Sequence, residues 1–312
     1  MRRFRIIFLL VFLLFCAYLN GFDDKFVRLV YHSSNSVAQQ IKVLDQYVYV
    51  YNDWYIYIYN LKNIWNPVVE TAFSSTYPIT DIAMLDYNKL YVCSHEPTNY
   101  ITEMDSLNTY GHIFTALSLI CNKARKEGNL LYTTHTENGL EIFDLSRSVY
   151  PQKISSFSEN WGILDMEARY PQVHVLNDFG YVNIDVTDVT QPRTLGYNYE
   201  IVGGTVLSVN RNIVWVGAGS NLLAIEITYP EKPVIINRYR FSSDIIDLEA
   251  RGNELFVALK TSGLRIMDIT NPKKINEKNN YYIRTGVSSV ALDGDYIYLG
   301  AGTQGWFVLE YR

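Results

Sequence analysis

Short runs of alternating apolar and polar residues fill this chain, and the clearest of them recurs seven times. Its copies are Val48-Tyr49-Val50, Leu90-Tyr91-Val92, Leu131-Tyr132-Thr133, Val173-His174-Val175, Val214-Trp215-Val216, Leu255-Phe256-Val257 and Ile297-Tyr298-Leu299. Between central residues the steps are 42, 41, 42, 41, 41 and 42. Alternation with period two, rich in Tyr, Ile and Val, predicts strands, and no helical stripe is sustained. A fixed period of this size predicts a solenoid, propeller or array.

Two further columns keep step with the first. An alternating run follows each motif and closes on an acid or amide at Asn60, Asp105, Asp144, Asp185, Glu226, Asp268 and Glu310. Proline follows seven residues later in four copies, at Pro67, Pro151, Pro192 and Pro233, and earlier in the sixth, at Pro272. Proline cannot donate to a central ladder, so it marks a connection or a strand start. The acid before it is expected to bond forward to backbone N–H groups and set the turn. Spread one per repeat, these acids do not suggest metal sites.

Each period also carries an alternating segment before the motif, such as residues 245–250, and a β-rich stretch after the proline, such as residues 234–239. Four short strands per period predict the blade of a propeller. The last repeat stops at Arg312, after its third strand, while residues 26–31 form an orphan β-rich run followed by Ser33-Ser34. That run resembles residues 234–239, which precede Phe241-Ser242-Ser243. The N-terminal strand is therefore expected to complete the last blade beside residues 306–310, removing an exposed edge. The predicted fold is all-β: a seven-bladed β-propeller of four-stranded antiparallel blades over residues 22–312. At that length one conventional core would be large, and a propeller divides it between neighbouring blades.

The blade core, as in Gly263-Leu-Arg-Ile-Met-Asp268-Ile-Thr-Asn-Pro272 and Val182-Asn-Ile-Asp185-Val-Thr-Asp-Val-Thr-Gln-Pro192, resembles the LVIVD repeat of exported bacterial propellers. The resemblance covers roughly residues 26–312. It is good in repeats three to six and poor in repeat two, which lacks the glycine and the proline. It implies a β-propeller in an extracytoplasmic setting, and it brings no shared catalytic residues.

The first 21 residues read as a signal peptide. Arg2, Arg3 and Arg5 form a basic start, and residues 6–15 are an unbroken apolar run too short to span a bilayer comfortably. Cys16 is a candidate lipidation position, although bulky Phe15 precedes it, and cleavage near Gly21 is the main alternative. The setting predicted is the periplasm, the outer-membrane surface or the medium, with membrane contact only through such a lipid. Losing three arginines takes the formal charge from −5 to −8, which argues against nucleic-acid binding. Cys93 and Cys121 remain, at a second strand and the next blade's first strand; a bridge between them is conceivable, but no spacing motif supports it and buried free thiols are the favoured expectation.

Candidate chemistry is sparse. Gly300-Ala-Gly302-Thr-Gln-Gly305 matches a dinucleotide fingerprint in letters only, since a strand and not a helix follows it. His95 and His135 follow equivalent strands but lack a third ligand. No catalytic, metal or cofactor residues are assigned. One constellation stands out: Asp165-Met-Glu167-Ala-Arg169 and Asp247-Leu-Glu249-Ala-Arg251 repeat almost identically on first strands, which line a propeller's channel. Other repeats place Gln40, Val206 and Ser289 in the aspartate column, so a blade does not require the acid. Asp165, Glu167, Asp247 and Glu249 are the candidate polar site, against the plainer reading that they bond neighbouring backbone. The function expected is an exported, monomeric scaffold that binds a protein or glycan, with an envelope hydrolase or lyase as the alternative.

Overall fold

The computed structural model describes residues 26–86, 89–94, 100–103, 121–135, 139–146, 151–158 and 162–312. The signal segment and Cys16 lie outside the described residues, as do His95 and Asp105. The chain is an all-β propeller with six four-stranded antiparallel blades and one further, three-stranded antiparallel sheet among the described residues. The sixth repeat is typical, with strands Ile245–Arg251, Glu254–Leu259, Gly263–Asp268 and Asn276–Tyr281 ordered from axis to rim. Seven four-stranded blades were expected, and the second repeat departs from that count. It has three strands among the described residues, Ile79–Asp86, Lys89–Ser94 and Tyr100–Glu103. A fourth would fall within residues 104–120, outside them.

The core is divided as the repeat demands. Each of seven apolar clusters lies between two consecutive sheets. Trp215 and Leu222 of the fifth repeat meet Leu248, Leu255 and Met267 of the sixth, and Tyr298, Trp306 and Val308 of the last meet Ile41, Val48 and Val50 of the first. The central residues of the recurring motif are all buried, because alternation sends each into one inter-sheet seam. Burying one such large side chain contributes roughly 1.5–3 kcal/mol.

Closure follows the sequence. Val27–Ser33 runs antiparallel to Trp306–Tyr311, with Val27 opposite Tyr311 and Ser33 opposite Trp306. The Trp306 indole sits 5.0 Å from the Tyr31 ring and 4.8 Å from that of Tyr59, tying the N-terminal strand to the last and first repeats. Glycine opens the third strand for a steric reason. At Gly263 φ is +76°, and a Cβ would lie 2.2 Å from the Tyr281 carbonyl at the end of the outer strand. Gly305 has φ +80°, and its Cβ would lie 1.8 Å from the carbonyl of Ser33. The N-terminal strand thus stands against Gly305 as an ordinary outer strand stands against its own repeat's glycine. The Gly300-Gly302-Gly305 segment is the hairpin before Trp306–Tyr311.

The acid column caps turns. Side-chain oxygens of Asn60, Asp144, Asp185 and Asp268 accept from the backbone N–H two residues on, at 2.7–2.9 Å. Glu310 instead pairs with Arg28 on the N-terminal strand and with Arg312 at 2.9 Å.

The cysteine expectation needs correction. Cys93, in a second strand, and Cys121, opening the next repeat's first strand, are both fully buried, with Cα atoms 4.9 Å apart and their sulfurs joined in a disulfide. Sequence spacing hides this, because 28 residues separate two strand ends that the ring places side by side. Cross-linking a loop of that length stabilises by about 3–4 kcal/mol in the chain-entropy account.

Candidate functional site

First strands surround the axis, and their alternate side chains enter the lumen. A cavity of about 370 Å³ there is lined by Lys42, Asp81, Lys123, Arg125, Asp165, Glu167, Ser208, Asp247, Glu249 and Ser289, together with aliphatic residues. A second, of about 480 Å³, lies where the first strands begin, beside Gln39, Gln40, Thr80, Asn122 and Leu164. All four candidate acids therefore face the first cavity.

Most lumen polar groups staple one blade to the next. Asp81 accepts from the Ala124 N–H at 3.1 Å, Asp165 from Leu207 at 2.9 Å, Asp247 from Val290 at 2.9 Å and Ser289 from Ile41 at 3.3 Å. One pleat further along, Glu167 accepts from Val209 at 2.7 Å and Ser208 from Ala250 at 3.0 Å. The acceptor stands on one first strand and the donor on its neighbour's first strand. The backbone N–H groups facing the seam thus gain partners that no sheet ladder supplies.

Asp81 is the centre of the charge network. It receives Lys42 Nζ at 2.5 Å, Arg125 at 2.6 Å and the Tyr51 hydroxyl at 3.0 Å. Burial alone would raise its carboxyl, but the Lys42, Arg125 and Lys123 charges overcome this and hold it far below the usual carboxylate range. Burial draws the Lys42 ammonium down to about 8 against the pull of Asp81. Its side chain still keeps 32% of its surface open to the lumen. Lys123 stands 3.6 Å and Arg125 3.8 Å from Asp165 Oδ1. Burial opposes the charge on both cations, and the carboxylates of Asp165 and Asp81 outweigh it, so both are held above their ordinary values.

Glu249 differs from its fellows. Among the described residues no hydrogen bond or ion pair holds its carboxylate. Its side chain is exposed and lines the lumen cavity. Desolvation, reinforced by the charges of Glu167 and Asp247, pushes its carboxyl up to about 7. Its repeat-mate Glu167 is drawn up by burial, with Arg169 at 2.6 Å and the Val209 N–H acting against the rise. Asp247 is raised by burial too, although Val290 and Ser289 donate to it.

Lys42, Lys123, Arg125 and Asp81 are the lumen residues absent from the sequence assignment. Three were visible in register: Lys123 lies nine residues before its motif centre, as Asp165 and Asp247 do, and Lys42 and Arg125 lie seven before, as Glu167 and Glu249 do. Asp81 lies ten before its own, because the ladder slips between Met84 and Asp86. Of the histidines, His135 is buried against Glu141 at 3.1 Å, a contact away from the lumen.

Solved structures with the same overall shape share the fold alone. A computationally designed protein, Ika8, superposes with TM-score 0.66 at 10% identity, covering 90% of this chain and 98% of the other. A chain of a mitotic checkpoint complex gives TM-score 0.67 at 12% identity, covering 91% and 90%. No curated protein matches the sequence. The LVIVD repeat family matches residues 244–282, which enclose the four strands of the sixth blade. This chain is thus a β-propeller carrying an LVIVD repeat, and its architecture is consistent with that of LVIVD-repeat proteins.

Proposed function

We propose that this protein is an exported, seven-bladed binding scaffold that receives a protein or glycan on one face of the ring. The three-stranded sheet of the second repeat supplies the seventh blade in this reading. The supporting observation is the placement of exposed aromatic residues. Hairpins joining second to third strands, and links from outer strands to the next repeat, emerge on the same face of an antiparallel propeller. Trp54 and Phe179 stand in such hairpins, and Tyr77, Tyr199 and Tyr282 in such links, all exposed. Tyr197 and Tyr199 stack with centroids 4.5 Å apart. Rigid aromatic side chains are the usual anchors of interfaces. Replacing Trp54 and Tyr199 together by serine should weaken partner capture by the full chain at least about tenfold with the melting temperature unchanged. Unaltered capture would refute this face.

Export is supported by the basic and apolar N-terminus, and by a buried disulfide of the kind that persists in oxidising compartments. Mass spectrometry of the mature chain is expected to show loss of the leader, leaving either a diacylglyceryl group on Cys16 or a free terminus near Phe22. Intact Met1 on cytoplasmic protein would overturn export.

A further inference from the structure

We propose that the lumen is a binding site for a small organic monocation, a short alkyl chain bearing a primary ammonium group, with Glu249 receiving the ammonium. Three observations lead there. The cavity of about 370 Å³ falls in the size range of small-molecule sites. Glu249 stands in it without a partner among the described residues. Asp165, only 5% exposed, lines the same cavity, its Oδ1 receiving no hydrogen bond while Lys123 and Arg125 stand 3.6 Å and 3.8 Å from it.

The charge inventory selects the ligand's sign. Around the lumen Lys42, Lys123, Arg125 and the Glu167-bound Arg169 face Asp81, Asp165, Glu167, Asp247 and Glu249, four cations against five carboxylates. With every one of them ionised, above the titration of Glu249 near pH 7, one negative charge is left over. Lys42 and Arg125 are occupied by Asp81, and Lys123 is compensated by Asp165. An anion or the carboxylate of a zwitterion therefore has no free cation to meet.

The donor chemistry selects the head group. A bare metal ion needs several oxygens within about 2.6 Å, and among the described residues no three His, Cys, Asp or Glu side chains are grouped to hold one. A quaternary ammonium is held by aromatic cages, whereas the lining of this cavity contains no aromatic residue. Carboxylates instead match N–H donors. Ile41, Val43, Leu207, Leu248, Val290 and Leu292 offer aliphatic surface for a short carbon chain.

Calorimetric titration of the full chain with n-butylammonium chloride tests this, with tetramethylammonium chloride and sodium chloride at equal ionic strength as controls. Butylammonium should bind at least about tenfold more tightly than either control, and Glu249→Gln should cost about tenfold or more at unchanged melting temperature. Equal binding of all three salts, or butylammonium binding untouched by E249Q, would overturn the proposal. Should E249Q not fold, the wild-type pH profile decides. Glu249 loses its charge as pH falls through about 7, so butylammonium affinity should fall with it. The other groups facing that carboxylate are Asp247, Glu167, Asp165, Asp81, Lys42, Lys123, Arg125 and Arg169. Of these, Lys42 discharges as pH rises through about 8, which makes the lumen more negative and reinforces the same trend. A flat profile would contradict the site. This proposal stands apart from the outer aromatic face: its failure leaves partner capture intact, and loss of capture in the Trp54 and Tyr199 variant leaves butylammonium binding intact.

Discussion

Asp81→Asn should be among the most damaging single substitutions in this protein, costing about 3–5 kcal/mol, as expected when one partner of a buried ion pair is removed. That is a large share of a typical total of about 5–15 kcal/mol. The change strands Lys42, whose ammonium is already desolvated, and takes from Arg125 its contact at 2.6 Å. It also weakens the acceptor for the Ala124 N–H, which joins the second and third repeats. Asp247→Asn is the internal control. Among the described residues Asp247 has no cation within ion-pair distance, its partners are the Ser289 hydroxyl and the N–H groups of Leu248 and Val290, and an amide oxygen can still accept. Its charge is disfavoured by burial, so neutralising it should cost less than about 1 kcal/mol. Urea unfolding of both variants measures the contrast. Equal losses would mean that Asp81 acts only as a hydrogen-bond acceptor.

Asp81 titrates far below its unfolded value, so its stabilising contribution is complete above the ordinary carboxylate range near pH 4 and is lost as pH falls below it. The D81N variant should therefore lose part of the wild type's acid sensitivity.

Deleting residues 22–32 should open the ring. The strand Val27–Ser33 is the outer strand of the last blade, and its removal would bare the edge of Trp306–Tyr311, whose residues are all buried. The ladder hydrogen bonds, at roughly 1 kcal/mol each, and the Tyr31 contact with Trp306 go together. A loss above about 3 kcal/mol is expected, with aggregation through the exposed edge. Gly305→Ala is a gentler form of the same experiment, since its Cβ would overlap the Ser33 carbonyl. A truncated chain that melts like the full one would refute closure by this strand.

Much of this architecture was legible in the sequence, for a physical reason. A repeat that buries one face against its neighbour must repeat its pattern, so the motif centres, the turn-capping acids and the orphan first strand all kept phase. The lumen was only half legible. Asp165 and Asp247 stood out because their segments are nearly identical, whereas Lys123 holds the same column with the opposite charge and so broke the apparent motif. Asp81 was hidden by the extra residue in its strand. The disulfide was hidden because Cys93 and Cys121 become neighbours only through the packing of two repeats. The division of labour among the acids could not be read from letters either, since whether a carboxylate meets a backbone N–H depends on the adjoining blade.

The central claim is that partners are received on the face carrying Trp54 and Tyr199. A photo-crosslinking residue placed at Trp54, and separately at Tyr229, tests it most directly. Tyr229 is also exposed but stands in a link between third and outer strands, on the opposite face. The full chain, irradiated in the cells that make it, should yield a specific adduct from position 54, suppressed by excess unlabelled protein, and none from position 229. An adduct from position 229 with none from position 54 would contradict the account.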